Sequence, residues 1–125
     1  MTDYLHKSYT YQIIGICMNV YNTLGYGFAE VVYKDAMELE FIKKEVNYIR
    51  EEALQINYKG QLLKHYFFSD FTINQNIIVE VKSNKDGIID EYISQTLNYL
   101  KASGIKLGLV VNFGKSSVEY KRLIY

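Results

Sequence analysis

The stretch NIIVEVKS, residues 76–83, places Glu80 and Lys82 two apart in a β-branched run, so a strand turns both to one face while Val79 and Val81 turn to the other. Asp70 stands one turn and one strand earlier, in YFFSDFTI. If Asn74-Gln75-Asn76 is a hairpin turn, Asp70 lies across the ladder from Glu80, within about 5–8 Å for side chains on one face. Two carboxylates that close repel unless a cation compensates them. Oxygen ligands suit Mg²⁺ or Mn²⁺, and the backbone carbonyl of Val81 is a candidate third donor. Lys82 beside such an ion is placed to orient water or to stabilise charge on a phosphoryl oxygen. Taken alone, an E-x-K triplet reads equally as an ion pair on a half-exposed strand.

Two further residues keep this company. Glu30 follows Gly27 by three and belongs to the first turn of a helix. There it is either a dipole-favoured exposed acid or an additional metal or water ligand arriving from across the sheet. Gln95 lies in YISQTLNYL between Tyr92 and Tyr99, at i, i+3 and i+7, on a stripe offset from the apolar one. It is a boundary amide or a polar group aimed at the strand by its flanking rings.

The elements that must position these residues follow from periodicity. Ile13, Ile14, Cys17, Met18, Tyr21 and Leu24 predict a helix over 8–24, which Gly25-Tyr26-Gly27 breaks. A second helix is expected over 28–44, with Val32, Ala36, Leu39 and Ile42 tracking its faces and Lys43-Lys44 suiting its C-terminal dipole. The middle reads as a meander: a strand over 53–58, a turn at Lys59-Gly60-Gln61, one long strand over 62–73, and the strand 77–82. A third helix over 88–102, carrying Ile89, Ile93, Leu97 and Leu100, ends at Gly104, and strands follow at 107–113 and 118–124. The order α-α-β-β-β-α-β-(β) predicts an α+β or mixed α/β domain around a central mixed sheet flanked by helices.

Composition narrows the function classes. The chain has 125 residues, fits one domain, and carries no proline-rich or repetitive linker. No apolar run approaches the roughly 20 residues that span a bilayer, and the start lacks a signal-like apolar core. A cytoplasmic protein with no membrane partner is therefore expected. One cysteine excludes a disulfide framework; Cys17, among apolar neighbours, reads as a buried structural thiol. Fourteen basic and fourteen acidic residues cancel, which counts against strong non-specific nucleic-acid binding. The charge is uneven, since Lys101, Lys106, Lys115, Lys121 and Arg122 face only Glu119 while residues 30–52 lean acidic. Thirteen tyrosines read first as half-buried packing residues rather than base-stacking ones.

The motifs together resemble a known family. Gly27-Phe28-Ala29-Glu30-Val31-Val32-Tyr33 is a GxxExxY motif, followed in order by the Tyr58-Lys59-Gly60 turn, FFSDFTI, IIVEVKS, SQTLNYLKASGIKLGLVVNFG and KRLIY. The chain is similar nearly end to end to the small bacterial GxxExxY proteins of the PD-(D/E)xK nuclease-like superfamily. That resemblance implies a restriction-endonuclease-like fold and Mg²⁺- or Mn²⁺-dependent phosphodiester hydrolysis, of DNA more than RNA. It implies that Asp70 and Glu80 hold metal with Glu30 assisting, that Lys82 serves the nucleophile or transition state, and that Gln95 and Tyr99 position the site. Gln95-Thr96-Leu97-Asn98-Tyr99 resembles the QxxxY element of the RecB-like and Cas4-like branches. Two positions depart from the pattern: Ser69 replaces the proline before the aspartate, and Phe68 stands where relatives commonly carry a base.

Three readings stand at this point. The first is a metal-dependent nuclease that needs a homodimer or partner protein to hold DNA tightly. The second is a catalytically inert nuclease-fold binding or regulatory module. The third is an interaction domain whose charges form a surface network.

Overall fold

The computed structural model describes residues 6–125. Helix α1 (Lys7–Leu24) and helix α2 (Glu30–Lys43) come first. They are followed by strands β1 (Tyr48–Arg50), β2 (Ala53–Tyr58), β3 (Gln61–Phe68), β4 (Phe71–Ile73) and β5 (Ile77–Lys82). Helix α3 (Asp90–Ser103) then crosses over to β6 (Leu107–Asn112), and β7 (Glu119–Ile124) closes the chain. Five strands form the central sheet in the order β1-β4-β5-β6-β7, with β5 and β6 parallel and the other pairs antiparallel. The expected mixed sheet flanked by helices is present.

Burial explains the apolar character of β5 and β6, since a strand covered on both faces reads as a continuous hydrophobic run. Ile77, Val79 and Val81 join Leu109 and Val111 under α1 and α2, in a core completed by Tyr33, Met37, Phe41 and Phe71. Ile78 and Val110 face the other way, toward Leu100 and Tyr99 of α3. Helix α3 lies close on β6 because Gly108 has no side chain: a Cβ there would fall 2.8 Å from Thr96 Cγ2.

The middle of the chain differs from the expected meander. The strand anticipated over 62–73 is broken at Ser69-Asp70, and a short strand, β1, precedes it. β2 and β3 pair apart from the central sheet, while β1 and β4 pair within it. The four strands make one long antiparallel ribbon bent at its middle. At the bend Glu51 N–H donates to Asp70 O (2.9 Å) and Ser69 N–H to Glu52 O (3.1 Å). Glu51 takes a left-handed φ of 55°, the backbone signature of the bend. Two tight turns stand as read from sequence. Lys59-Gly60 joins β2 to β3, and Asn74-Gln75 joins β4 to β5, both with positive φ at the two central residues.

The helical stripes shift in register. On α1, Met18 is 46% exposed while Ile16 and Val20 are buried beside Ile13, Ile14 and Cys17. On α2, Leu39 and Ile42 point to solvent, and the core face is Tyr33, Met37 and Phe41 at i, i+4 and i+8. The α2 sequence EVVYKDAMELEFIK has apolar residues on several faces, so the choice among them is made by the sheet it packs on. On α3, Thr96, Tyr99 and Leu100 are buried, with Ile93 and Leu97 half-buried beside them. Among the described residues no helix is long and apolar enough to cross a membrane.

Candidate active site

Asp70 sits at the corner of the bent ribbon. The β4–β5 register places Phe71 opposite Val79, so extending it by one residue sets Asp70 opposite Glu80. The two acids are locked reciprocally. Asp70 N–H donates to Glu80 Oε2 at 2.8 Å, and Val81 N–H donates to Asp70 Oδ2 at 2.7 Å. Glu80 is only 3% exposed. Burial first, then the neighbouring charge of Asp70, pushes its carboxyl up to about 8, against the pull of the Asp70 N–H, Lys82 and Lys34.

The carbonyl of Val81 faces the same corner. Within a strand the N–H and C=O of one residue point to the same side, and successive residues alternate. The Lys82 carbonyl accepts from Phe113 N–H, just past the end of β6, so Val81 directs its polar groups the opposite way, toward Asp70.

On the α3 face, Lys82 Nζ donates to Gln95 Oε1 at 2.9 Å and lies 4.6 Å from the centre of the Tyr92 ring. Gln95 therefore fixes the ammonium from one side and an aromatic face holds it from another. Tyr99 stands one turn further along α3. Burial, and then the charges of Glu80 and Asp70, push its hydroxyl up to about 12, while a side-chain hydrogen bond with Gln95 works against the shift. The hydroxyl stays protonated.

Glu30 opens α2 and is exposed. The GxxExxY motif acquires a physical meaning here. Gly27 turns the chain with φ 108°, and the Tyr33 hydroxyl donates to Gly25 O (2.6 Å) and accepts from Phe28 N–H (3.3 Å). The Tyr33 ring stacks on Phe113 with centroids 4.4 Å apart. Ser83 Oγ, directly after Lys82, donates to Phe28 O at 2.6 Å. The tyrosine thus anchors the turn that precedes Glu30, and Phe28 of that turn meets Ser83 at the end of β5.

Two residues of the cluster were not legible beforehand. Lys34 Nζ lies 3.0 Å from Asp70 Oδ1 and 3.0 Å from Glu51 Oε1. Burial lowers its affinity for a proton, but the hydrogen bonds and charges of Asp70 and Glu51 outweigh burial and raise it overall. The signal, seen in hindsight, is a lysine between Tyr33 and Met37 on the buried stripe of α2. Asn112 is the second. Its amide accepts from Asn84 N–H (2.8 Å) and donates to Asn84 O (2.9 Å) and Glu119 Oε1 (3.0 Å), which fixes the loop leaving the Lys82 end of β5. Gly114 is required beside it, because a Cβ would fall 2.4 Å from the Asn84 backbone.

The donor set fits a divalent ion with few protein ligands. Among the described residues no three His, Cys, Asp or Glu side chains converge on one point, so Glu30 stands apart from the acid pair. Asp70, Glu80 and the Val81 carbonyl form an oxygen-only corner. A carboxyl raised first by burial and then by its neighbour's charge is a group that a bound cation relieves. Mg²⁺, which retains several waters, tolerates so small a set.

Comparison with known proteins agrees with this architecture. The chain is similar in fold to SSO0001, with 18% identity and a TM-score of 0.57 over 74% of this chain and 49% of that one. It is similar also to an alkaline exonuclease from Laribacter hongkongensis, with 15% identity and a TM-score of 0.56 over 99% of this chain and 72% of that one. The chain thus spans about half the length of the first of these proteins. No curated protein matches the sequence. A sequence model of the PD-(D/E)XK nuclease superfamily matches residues 7–123, nearly the whole chain, and takes in both the acid pair and its lysine. The chain belongs to the PD-(D/E)XK nuclease superfamily.

Proposed function

We propose that residues 1–125 form a single nuclease domain that hydrolyses phosphodiester bonds with Mg²⁺ or Mn²⁺, acting on DNA in preference to RNA. The observation that carries this reading is the reciprocal lock of Asp70 and Glu80, with Lys82 two residues from Glu80 on β5. The GxxExxY signature and the Gln95–Tyr99 element, both present in full, support placing the chain with the small bacterial GxxExxY proteins.

Asp70, Glu80 and the Val81 carbonyl would hold the ion, which supplies Lewis acidity and lowers the pKa of water. Val81 N–H holds Asp70 Oδ2 and Asp70 N–H holds Glu80 Oε2, which leaves Glu80 Oε1 and Asp70 Oδ1 for the ion, the latter now accepting from Lys34 Nζ. Lys82 gives one of its three ammonium protons to Gln95, leaving two to orient water and to meet negative charge on a phosphoryl oxygen. Tyr99 and Tyr92 keep Gln95 and Lys82 from relaxing away from the strand. Glu30, two residues after Phe28 in the Tyr33-anchored turn, would assist through water rather than as a direct ligand.

Calorimetry with Mn²⁺ tests the metal assignment. Binding at millimolar cation is expected for the native protein and is expected to vanish in Asp70→Ala and Glu80→Ala; binding indifferent to both changes refutes it. Incubation with linear, nicked and single-stranded DNA then tests catalysis. Lys82→Ala is expected to slow cleavage by roughly 10²–10³-fold, the scale of losing one preorganised charge-stabilising group.

A second reading, an inert nuclease-fold module working through a homodimer or partner protein, is favoured by one observation. The Lys34 ammonium already neutralises Asp70 at 3.0 Å, so the corner is charge-compensated without an ion. Metal binding without cleavage of any of the three DNA forms would select it.

A further inference from the structure

The bent ribbon carries a surface that the acid cluster does not use. Along β3, alternation sends Phe67 inward, where its ring meets Tyr99 of α3 with centroids 5.5 Å apart, next to buried Leu54 of β2. Tyr66 and Phe68 turn the opposite way. They are 52% and 56% exposed, and their rings lie 6.4 Å apart with planes inclined by only 27°. Neither ring fills the core, and each has the other as its aromatic neighbour. Phe68 is two residues from Asp70, across the Ser69 bend that joins the ribbon to the corner of the site.

We propose that the outer face of the β2–β3 hairpin is a stacking platform for the unpaired bases of a single-stranded nucleic acid whose backbone is led to Asp70 and Glu80; the proposal rests on the nuclease reading above. Charge selects this occupant. Residues 53–68 contain Lys59 at the hairpin tip, Lys64 on the strand face of Tyr66 and Phe68, and no acidic residue, in a chain that is neutral as a whole; Glu51 and Glu52 stand beyond them at the bend. An aromatic surface free of carboxylates and flanked by cations suits a polyanion whose bases present flat faces. A duplex keeps its bases stacked on one another and offers none of them to Tyr66 or Phe68. The platform also answers the weak overall electrostatics, because stacking supplies affinity without excess positive charge.

The test is fluorescence anisotropy in EDTA, where no cleavage occurs, with a labelled oligo-dT strand about twenty nucleotides long and a blunt duplex of equal length. Tyr66→Leu and Phe68→Leu keep apolar area and remove the π faces. Each is expected to weaken binding to the single strand by roughly ten-fold and the pair by about a hundred-fold. Phe68→Trp is expected to preserve it. Both side chains are more than half exposed, so the variants retain the fold, which circular dichroism verifies. Single-strand affinity unchanged in the double variant overturns the proposal, as does equal loss for strand and duplex. Loss of a dimer on size exclusion, with no loss of oligo-dT binding, also overturns it and assigns the face to a second copy of the chain. The two readings fail separately. Asp70→Ala should bind oligo-dT in EDTA at least as well as the native protein, and the double leucine variant should keep its Mn²⁺ isotherm. Failure of the metal assignment therefore shows in calorimetry, and failure of the platform shows in anisotropy.

Discussion

Glu80 concentrates the electrostatic tension of the site in one side chain. Its carboxyl is raised from 4.5 to about 8, so between those values the folded metal-free protein holds a proton that the unfolded chain has lost. More protons are then bound in the native state, and stability falls as pH rises through that window. Thermal melts in EDTA should show a falling midpoint from about pH 5 to pH 8. Glu80→Gln, which still accepts the Asp70 N–H, should flatten the curve and melt above the native protein at pH 8. Lys34 gives a second prediction. Its ammonium competes for Asp70 Oδ1, so Lys34→Met is expected to tighten Mn²⁺ binding several-fold in calorimetry while leaving Asp70→Ala unable to bind. The residues with chemical roles were legible because acids and a lysine are conspicuous in β-branched strands. Lys34 and Asn112 were not, because a helical lysine looks solvated until the fold brings it, with Glu51, to Asp70, and a strand-end asparagine shows no partner until Asn84 meets it.

At the level of elements, the sequence announced most starts and stops through glycines and tight turns, but not which face of each helix would be covered. Met18 shared the apolar spacing of α1 with Ile14 and Tyr21, and only the approach of the sheet selects Ile16 and Val20 instead. Urea denaturation checks this register. Ile16→Ala is expected to cost about 2–5 kcal/mol, and Met18→Ala less than about 1 kcal/mol. The same lesson holds for the ribbon. A run such as QLLKHYFFSDFTI is uniformly strand-forming, so nothing local marks Ser69-Asp70 as a break. The break is made across the ribbon, where Glu51 turns left-handed and the two strands exchange hydrogen bonds at the bend. α1 and α2 cover one side of the sheet and α3 the other, so Glu80 is buried while Lys82, bonded to Gln95 of α3, is only half-buried.

Over the whole molecule, one thiol reports on integrity. Cys17 is fully buried in the core beneath α1, and burial pushes its pKa up to about 12. Alkylation of the folded protein by iodoacetamide should therefore proceed only through opening of that core, at a rate that rises with urea in step with unfolding. Prompt labelling in native buffer would contradict the packing of α1. The molecule is also neutral as a whole, so its net charge does not by itself draw a polyanion to any one face. The bent ribbon would tie the proposed platform to the proposed active site. Phe68 and Asp70 are separated by no more than about 7 Å of backbone, comparable to the step between neighbouring phosphates of an extended strand. A base seated on the ring and a phosphate presented to the acids would then belong to adjacent nucleotides. The bend would act as a ruler, setting the position of the cut by counting from a held base rather than by reading its identity.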